Sequence, residues 1–326
     1  MSDETLPMGP VVQTRGLSKR FGGQTVLDGI DLSVPRGSVF GFLGPNGSGK
    51  TTTIRILLGL ASATSGDVEV LGRKIPKFLP EVLPRVGALV EGPGFYPFLS
   101  GRANLHRLDA ADRFVDPSTR RARTAQALER VGLSQAANKK VGAYSLGMKQ
   151  RLGIANALLT HRDLIVLDEP TNGLDPQGTR EVRHLVHSLT EEGTTVFVSS
   201  HLLAEVEQIC SHVAVLRAGK LVAQGELSEL RAAGQTRVEV LTPDGEDCRQ
   251  VLVRLGLIPQ EPPTTPHTPS GSDVVVAAPL PKDFLPETIV AALVAAGVRV
   301  KGFTVDQVGL EELFVSLTGE GFDVVQ

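Results

Sequence analysis

The chain has no tryptophan, two tyrosines and two cysteines in 326 residues. Cys210 and Cys248 are far apart and lack metal-ligand spacing, so they make no disulfide framework and fit a reducing compartment. No apolar run approaches the ~18 residues that cross a bilayer, so action at a membrane requires a partner to bring the chain there. The first residues, Met1-Ser2-Asp3-Glu4, are acidic and lack the apolar core of a signal peptide. A dominant charge is also missing. With 33 Lys+Arg against 36 Asp+Glu and a net charge of −3, no bulk field holds nucleic acid, and no nucleic-acid partner is expected. Arg120, Arg121 and Arg123 form one basic cluster, read as the solvated face of a helix. What remains, 41% hydrophobic and 21% charged, describes a globular chain long enough for two domains.

Against that background one segment stands out. Gly44-Pro45-Asn46-Gly47-Ser48-Gly49-Lys50-Thr51 fits G-x-x-x-x-G-K-[ST]. Val39 to Leu43 predicts a buried strand feeding it, and Thr51 to Leu58 a helix behind it. The glycines allow backbone N–H groups to turn inward on a phosphate, and the helix N-terminus adds its positive end. Lys50 is placed to reach β- and γ-phosphates, the Thr51 hydroxyl to ligate Mg²⁺, and Thr52 to complete the nucleotide-binding set. A nucleoside triphosphate is the expected ligand.

A second segment supplies acids. In Leu164-Ile165-Val166-Leu167-Asp168-Glu169-Pro170 an apolar strand delivers two carboxylates at its C-terminal end, where open α/β sheets bind ligands. Asp168 suits Mg²⁺, and Glu169 suits polarisation of a water aimed at the γ-phosphate. Around these segments, short β runs at Val11-Val12, Thr25 to Leu27 and Ile30 to Val34, with a turn at Gly22-Gly23, predict a small antiparallel layer closed by an edge strand from Val68 to Gly72. Residues 98–160 read as a helical insertion. Buried strands return at Leu164 to Leu167, Thr194 to Val198 and Val213 to Leu216, alternating with helices as a parallel sheet requires. From about Arg231 a second region offers strands at Val238 to Leu241, Val274 to Ala277 and Val298 to Val305. Its helices are expected at Cys248 to Leu255, Leu285 to Ala296 and Leu310 to Leu317, with a proline-rich loop at Pro259 to Pro266.

Between the two chemical segments lies Tyr144-Ser145-Leu146-Gly147-Met148-Lys149-Gln150-Arg151-Leu152. Here the chain resembles the nucleotide-binding subunits of ATP-binding-cassette (ABC) transporters, whose signature loop is commonly Leu-Ser-Gly-Gly-Gln. Tyr144, Leu146 and Met148 depart from that form, while Ser145 and Gly147 keep the two donors that would face a γ-phosphate held by an opposite subunit. The resemblance runs in order over residues 11–226. It implies that Phe21 stacks on adenine, that Asp175 in Leu174-Asp175-Pro176 helps join two active sites, and that His201 hydrogen-bonds the γ-phosphate. Glu91 stands where the family has a glutamine; its carboxylate would still reach Mg²⁺. The run Gly92 to Gly101 and the Tyr-Ser-Leu-Gly-Met signature resemble the bacitracin- and daunorubicin-type drug-exporter ATPases.

The implied fold is a P-loop NTPase of the ABC ATPase type (parallel-sheet core, antiparallel β layer, helical subdomain at about 98–160) over residues 11–230, with a small α+β domain over 231–326. The implied activity is Mg-ATP hydrolysis, with Lys50, Glu169 and His201 catalytic, coupled to export through integral membrane permease subunits. A second ATP-binding subunit is the other expected partner, and the location is the cytoplasmic face of the membrane. Phe95-Tyr96-Pro97-Phe98 is either a contact for the membrane subunits or packing within the helical subdomain. A cassette ATPase serving ribosomes or DNA is the alternative, disfavoured by the single P-loop and the lack of heptads. A slowly hydrolysing ATP sensor is another, disfavoured by Glu169 and His201.

Overall fold

The computed structural model describes residues 9–90, 94–112, 114–233, 236–260, 273–281 and 284–307. The first layer is antiparallel. Strand β1 (Val12–Phe21) and β2 (Gln24–Ile30) form a hairpin in which Phe21 faces Gln24 across Gly22-Gly23, with Gly22 in the left-handed region at φ 56°. The run expected from Ile30 to Val34 is broken. The hydroxyl of buried Thr14 donates to Ile30 O (2.7 Å) and accepts from Leu32 N–H (2.9 Å), replacing ladder bonds before the short β3 (Ser33–Val34) pairs with the start of β1.

Strand β4 (Val39–Leu43), buried at all five positions, leads through the glycine-rich loop into α1 (Lys50–Leu57). The chain then returns to the first layer as β5 (Ser65–Val70) and β6 (Arg73–Lys74), giving the order β2-β1-β5-β6 with β3 on β1. The strand expected at the edge is therefore interior. Leu71 (φ 52°) and Gly72 (φ 73°) turn the chain tightly back, so that two further residues cover β5.

A short α2 (Leu79–Val82) precedes β7 (Val86–Leu89). The helical layer follows as α3 (Gly101–Ala111), α4 (Arg120–Arg130) and α5 (Leu146–Ala157). Then come β8 (Leu164–Asp168), α6 (Pro176–Glu191), β9 (Thr195–Ser200), α7 (Leu203–Ile209), β10 (His212–Arg217) and β11 (Lys220–Glu226). The sheet order is β11-β10-β4-β9-β8-β7, parallel except for β11. Strands buried along their whole length read as near-continuous apolar runs, as β4 does and β8 does up to Asp168; β9 is buried throughout but carries Thr195, Ser199 and Ser200. One apolar cluster joins the two sheets, with Phe197 stacked on Phe40 (centroids 5.7 Å) and tilted against Phe42 (5.4 Å).

The basic cluster on α4 is not a uniformly solvated face. Arg123 and Arg120 both turn onto Asp109 of α3, a carboxylate only 1% exposed. The Asp109 charge, with its desolvation offset by two guanidinium groups, ties α3 to α4.

The chain divides into two units after Leu227. Helix α8 (Leu227–Ala233) starts at that boundary, and the second unit continues through β12 (Thr236–Thr242), α9 (Gly245–Arg254), β13 (Val274–Pro279), α10 (Pro286–Ala295) and β14 (Gly302–Gln307). The three strands form an antiparallel sheet in the order β13-β12-β14. Its core gathers Val238, Val240, Cys248, Leu252, Ile289 and Leu293. The last strand begins later than the expected Val298. That residue closes α10 instead: Gly297 is left-handed (φ 78°) and donates to Val294 O, and Val298 N–H donates to Leu293 O. The expected helix from Leu310 to Leu317 and most of the proline-rich loop lie outside the described residues. Among the described residues no helix is long and apolar enough to cross a membrane.

Candidate functional site

The site opens at the C-terminal ends of the parallel strands. After β4 the loop closes on α1 through Gly47 (φ 79°) and Gly49 (φ 110°). Gly44 is required by proximity, since a Cβ there would lie 2.3 Å from Leu216 O. Helix α1 has no side-chain cap and no acid in its first turn, so its N-terminal amides are left for an anionic ligand. The buried Ser48 hydroxyl likewise has no hydrogen-bond partner among the described residues. Lys50, 6% exposed, donates to Gly44 O (2.6 Å) and Pro45 O (3.3 Å) and lies 3.4 Å from Glu169 Oε1. Burial pushes its ammonium below the ordinary lysine range, opposed by the neighbouring Glu169 and Asp168 charges. A cradle that holds a desolvated ammonium against three oxygens suits phosphate oxygens in the same place.

The acids face this loop from the end of β8. Thr51 donates to Asp168 Oδ2 (3.0 Å), and Ser199 of β9 donates to Asp168 Oδ1 (2.5 Å). Glu169 adopts φ 49°, a left-handed conformation rare for a non-glycine residue. Its N–H donates to Ser199 Oγ (2.9 Å), and its Oε2 accepts from His201 Nδ1 (2.8 Å), which places a proton on that nitrogen. Glu169 thus bridges two partners, with one oxygen toward Lys50 and the other on His201. Lys50, Thr51, Glu169 and His201 line a cleft of ≈ 450 Å³ together with Asn46, Gly47, Gly49, Thr52, Asn172 and, from β2, Val26. Among the described residues no cluster of three or more His, Cys, Asp or Glu could hold a metal. The pair Thr51 and Asp168 nevertheless fits Mg²⁺, a hard cation held by one or two protein oxygens with phosphates and water completing its shell.

Other expected site residues fall elsewhere. Phe21 is 53% exposed at the hairpin tip with the Lys19 ammonium 4.7 Å from its ring centroid, so it is an open platform and not a core side chain. Ser145 caps α5 by accepting from Met148 N–H (3.2 Å), Leu146 is exposed, and Gly147 faces Leu174, where a Cβ would lie 3.1 Å from Cδ2. None of residues 145–148 lines the cleft. Tyr144, in place of the usual leucine, is buried and donates to Ala136 O (2.7 Å), sealing the helical layer. Asp175 caps α6 through Gly178 N–H (2.7 Å). Glu91 lies outside the described residues. Sequence reasoning missed Ser199 and also Gln150, whose amide donates to Glu169 O (3.4 Å); neither carries a spacing signal.

Fold and cleft together define a P-loop nucleotide-binding domain. Residues 27–172 match the family model for the ABC transporter. The chain is 44% identical over 242 residues to the bacitracin transport ATP-binding protein BcrA of Bacillus licheniformis, an alignment covering 71% of this chain and 75% of that protein. It is 36% identical over 307 residues to the daunorubicin resistance ATP-binding protein DrrA3 of Streptomyces coeruleorubidus, covering 94% and 95%. A solved dimeric, post-hydrolysis ATP-binding cassette bound to ADP and Pi matches with a TM-score of 0.60 and 26% identity, over 66% of this chain and 98% of that one. The chain belongs to the ABC transporter family, as an ATP-binding subunit with an ABC ATPase domain.

Proposed function

We propose that this subunit hydrolyses Mg-ATP to drive export of a drug, antibiotic or other amphipathic substrate through separate membrane permease subunits. The observation that carries the ATPase part is the Lys50–Glu169–His201 chain inside the P-loop cleft. The relatives named for bacitracin transport and daunorubicin resistance support the substrate class.

The chemistry follows from the charges. A triphosphate brings oxygens that compete with Glu169 for both of its partners, the Lys50 ammonium and the His201 N–H. Lys50 exchanges Gly44 O, Pro45 O and Glu169 for β- and γ-phosphate oxygens, while the proton on His201 Nδ1 becomes available to the γ-phosphate. The carboxylate of Glu169, released from both, orients a water and takes its proton as the water oxygen bonds to the γ-phosphorus. The bond to the β–γ bridging oxygen breaks, and its electron pair leaves with ADP. Mg²⁺, held by Thr51 and Asp168, supplies neutralisation of the charge on the phosphate oxygens when bound. Since the signature segment lines no part of its own chain's cleft, Ser145 and Gly147 act on the nucleotide of a second ATP-binding subunit, with Asp175 near the join. Phe21 receives the adenine, and Glu91 adds a carboxylate near Mg²⁺.

Closure of two subunits would pull on the permease at the cytoplasmic face of the membrane. Tyr96 and Phe98 stand exposed, edge to face at 5.5 Å, with the Arg107 guanidinium 4.4 Å from the Tyr96 centroid. Exposed aromatics of this kind serve as interface anchors, which favours the permease contact over packing within the helical layer. Residues 11–230 form the ATPase domain in this reading and 231–326 an accessory domain. The test is purification of the tagged Glu169→Gln chain from detergent-solubilised membranes of its native cell with Mg-ATP. Co-purification of a polytopic membrane protein supports the proposal. Recovery with ribosomes, with nucleic acid or alone overturns the transport part, and a Glu169→Gln variant with undiminished ATPase rate removes the proposed base.

A further inference from the structure

We infer that Ser199 is the positioning residue of the ATPase site: one buried hydroxyl orients Asp168 toward Mg²⁺ and clamps the backbone of Glu169. The inference rests on the reading of Asp168 and Glu169 proposed above and goes beyond it, because the motifs name neither Ser199 nor any group that holds the two acids.

Ser199 is fully buried on β9, directly opposite Asp168 in the parallel β8–β9 register. A hydroxyl has one proton to donate. That proton is committed to Asp168 Oδ1 at 2.5 Å, while a lone pair accepts Glu169 N–H at 2.9 Å. The consequences are separate. With Oδ1 occupied, the Asp168 carboxylate cannot rotate freely, and its other oxygen is the one turned to Thr51. With its N–H held, Glu169 stays in the left-handed conformation that lets its side chain reach both Lys50 and His201. Groups that orient metal ligands in this way typically change metal affinity or activity 10–100-fold when removed. The adjacent Ser200 provides a natural contrast. It is equally hidden, but its hydroxyl accepts from Leu202 N–H (3.0 Å) and donates toward Glu205 Oε2 (3.2 Å), touching neither acid.

A serine that only satisfied a buried amide would lower stability and leave metal dependence alone. The decisive readout is therefore the Mg²⁺ concentration at which the purified full chain gains affinity for a fluorescent ATP analogue, followed by kcat and KM for ATP. Ser199→Ala is expected to raise that concentration about tenfold and to lower kcat by a similar factor, with KM little changed. Ser199→Thr, which keeps the hydroxyl, restores both to within about threefold, and Ser200→Ala shows wild-type Mg²⁺ dependence. Should Ser199→Ala fail to fold, Ser199→Cys, of similar volume and a weak donor, carries the same expectation. Wild-type Mg²⁺ dependence in the Ser199 variant while Asp168→Asn loses it overturns the inference alone, as does a Thr variant as impaired as Ala. Wild-type Mg²⁺ dependence in Asp168→Asn overturns the metal reading first, and the role of Ser199 with it.

Discussion

Replacing Asp109 by asparagine keeps the shape of the side chain and removes the charge that two arginines enclose. The Asp109 side chain is 1% exposed, Arg123 15% and Arg120 31%. Arg123 Nη2 lies 2.8 Å from both carboxylate oxygens, its Nε 3.0 Å from one, and Arg120 Nε 2.9 Å from the other. Deleting one partner of a buried ion pair costs about 3–5 kcal/mol, because the remaining charge stays desolvated. Here both guanidinium groups retain some water and Arg123 keeps its bond to Asp116 O, so the cost falls to or below the bottom of that range, about 2–3 kcal/mol. For a unit of this size each kcal/mol shifts Tm by about 2–4 °C, giving a fall of about 4–12 °C. Thermal unfolding followed by circular dichroism measures it, and added salt should change the difference little because the pair is shielded from solvent. The function should follow. Helix α5, which presents Ser145 and Gly147, packs on both α3 and α4. ATPase rate should therefore fall more than ATP affinity, whose determinants lie in the P-loop cleft. A variant melting within about 1 °C of wild type would refute the view that this node holds the helical layer together.

Two further outcomes are expected. Burial pushes the Cys210 thiol up to about 12 and the Cys248 thiol up to about 11. Neither should react with iodoacetamide at pH 8 in the native chain, and both should react in concentrated urea; mass spectrometry counts the adducts, and native labelling of Cys248 would contradict the core assigned to the second unit. Hydrogen bonds from the side chain and backbone of Arg299 hold Asp244 at about 2, below its ordinary 3.8. A depressed carboxylate contributes stability above its unfolded value and loses it as pH falls through the folded one. The Tm gap between wild type and Arg299→Met should therefore be full at pH 5 and narrow from about pH 3.8 downward. A gap that widens on acidification would show the sign to be wrong.

Much of the fold was legible because burial leaves marks in composition. Strand β4, and β8 up to Asp168, are uninterrupted apolar runs and could hardly be anything but interior strands of a parallel sheet. Legibility failed where that mark is weak. Strand β11 lies at the sheet edge with mostly half-exposed, mixed residues, and only the left-handed Ala218-Gly219 turn announces it. The apolar stretch after Gly297 misled for the opposite reason: Val298 is buried as part of a helix cap, and hydrophobicity does not distinguish a cap contact from a strand.

The candidate site divides along the same line, with locality as the variable. A phosphate loop needs its glycines, lysine and threonine consecutive, because neighbouring backbone amides make the cradle, so the chemistry is written in adjacent letters. The acids after β8 are readable for the same reason. The group that ties those acids together comes from a strand 31 residues away. Its identity depends on β8 and β9 pairing so that Asp168 meets Ser199; a slip by one position would turn the side chain of the opposing residue to the other face of the sheet. Register is set by the packing of whole strands, here by Val196, Phe197 and Val198 finding their places in the core. The placement of that one hydroxyl is therefore a property of the folded sheet, and a reading confined to motifs reaches the two carboxylates without reaching what orients them.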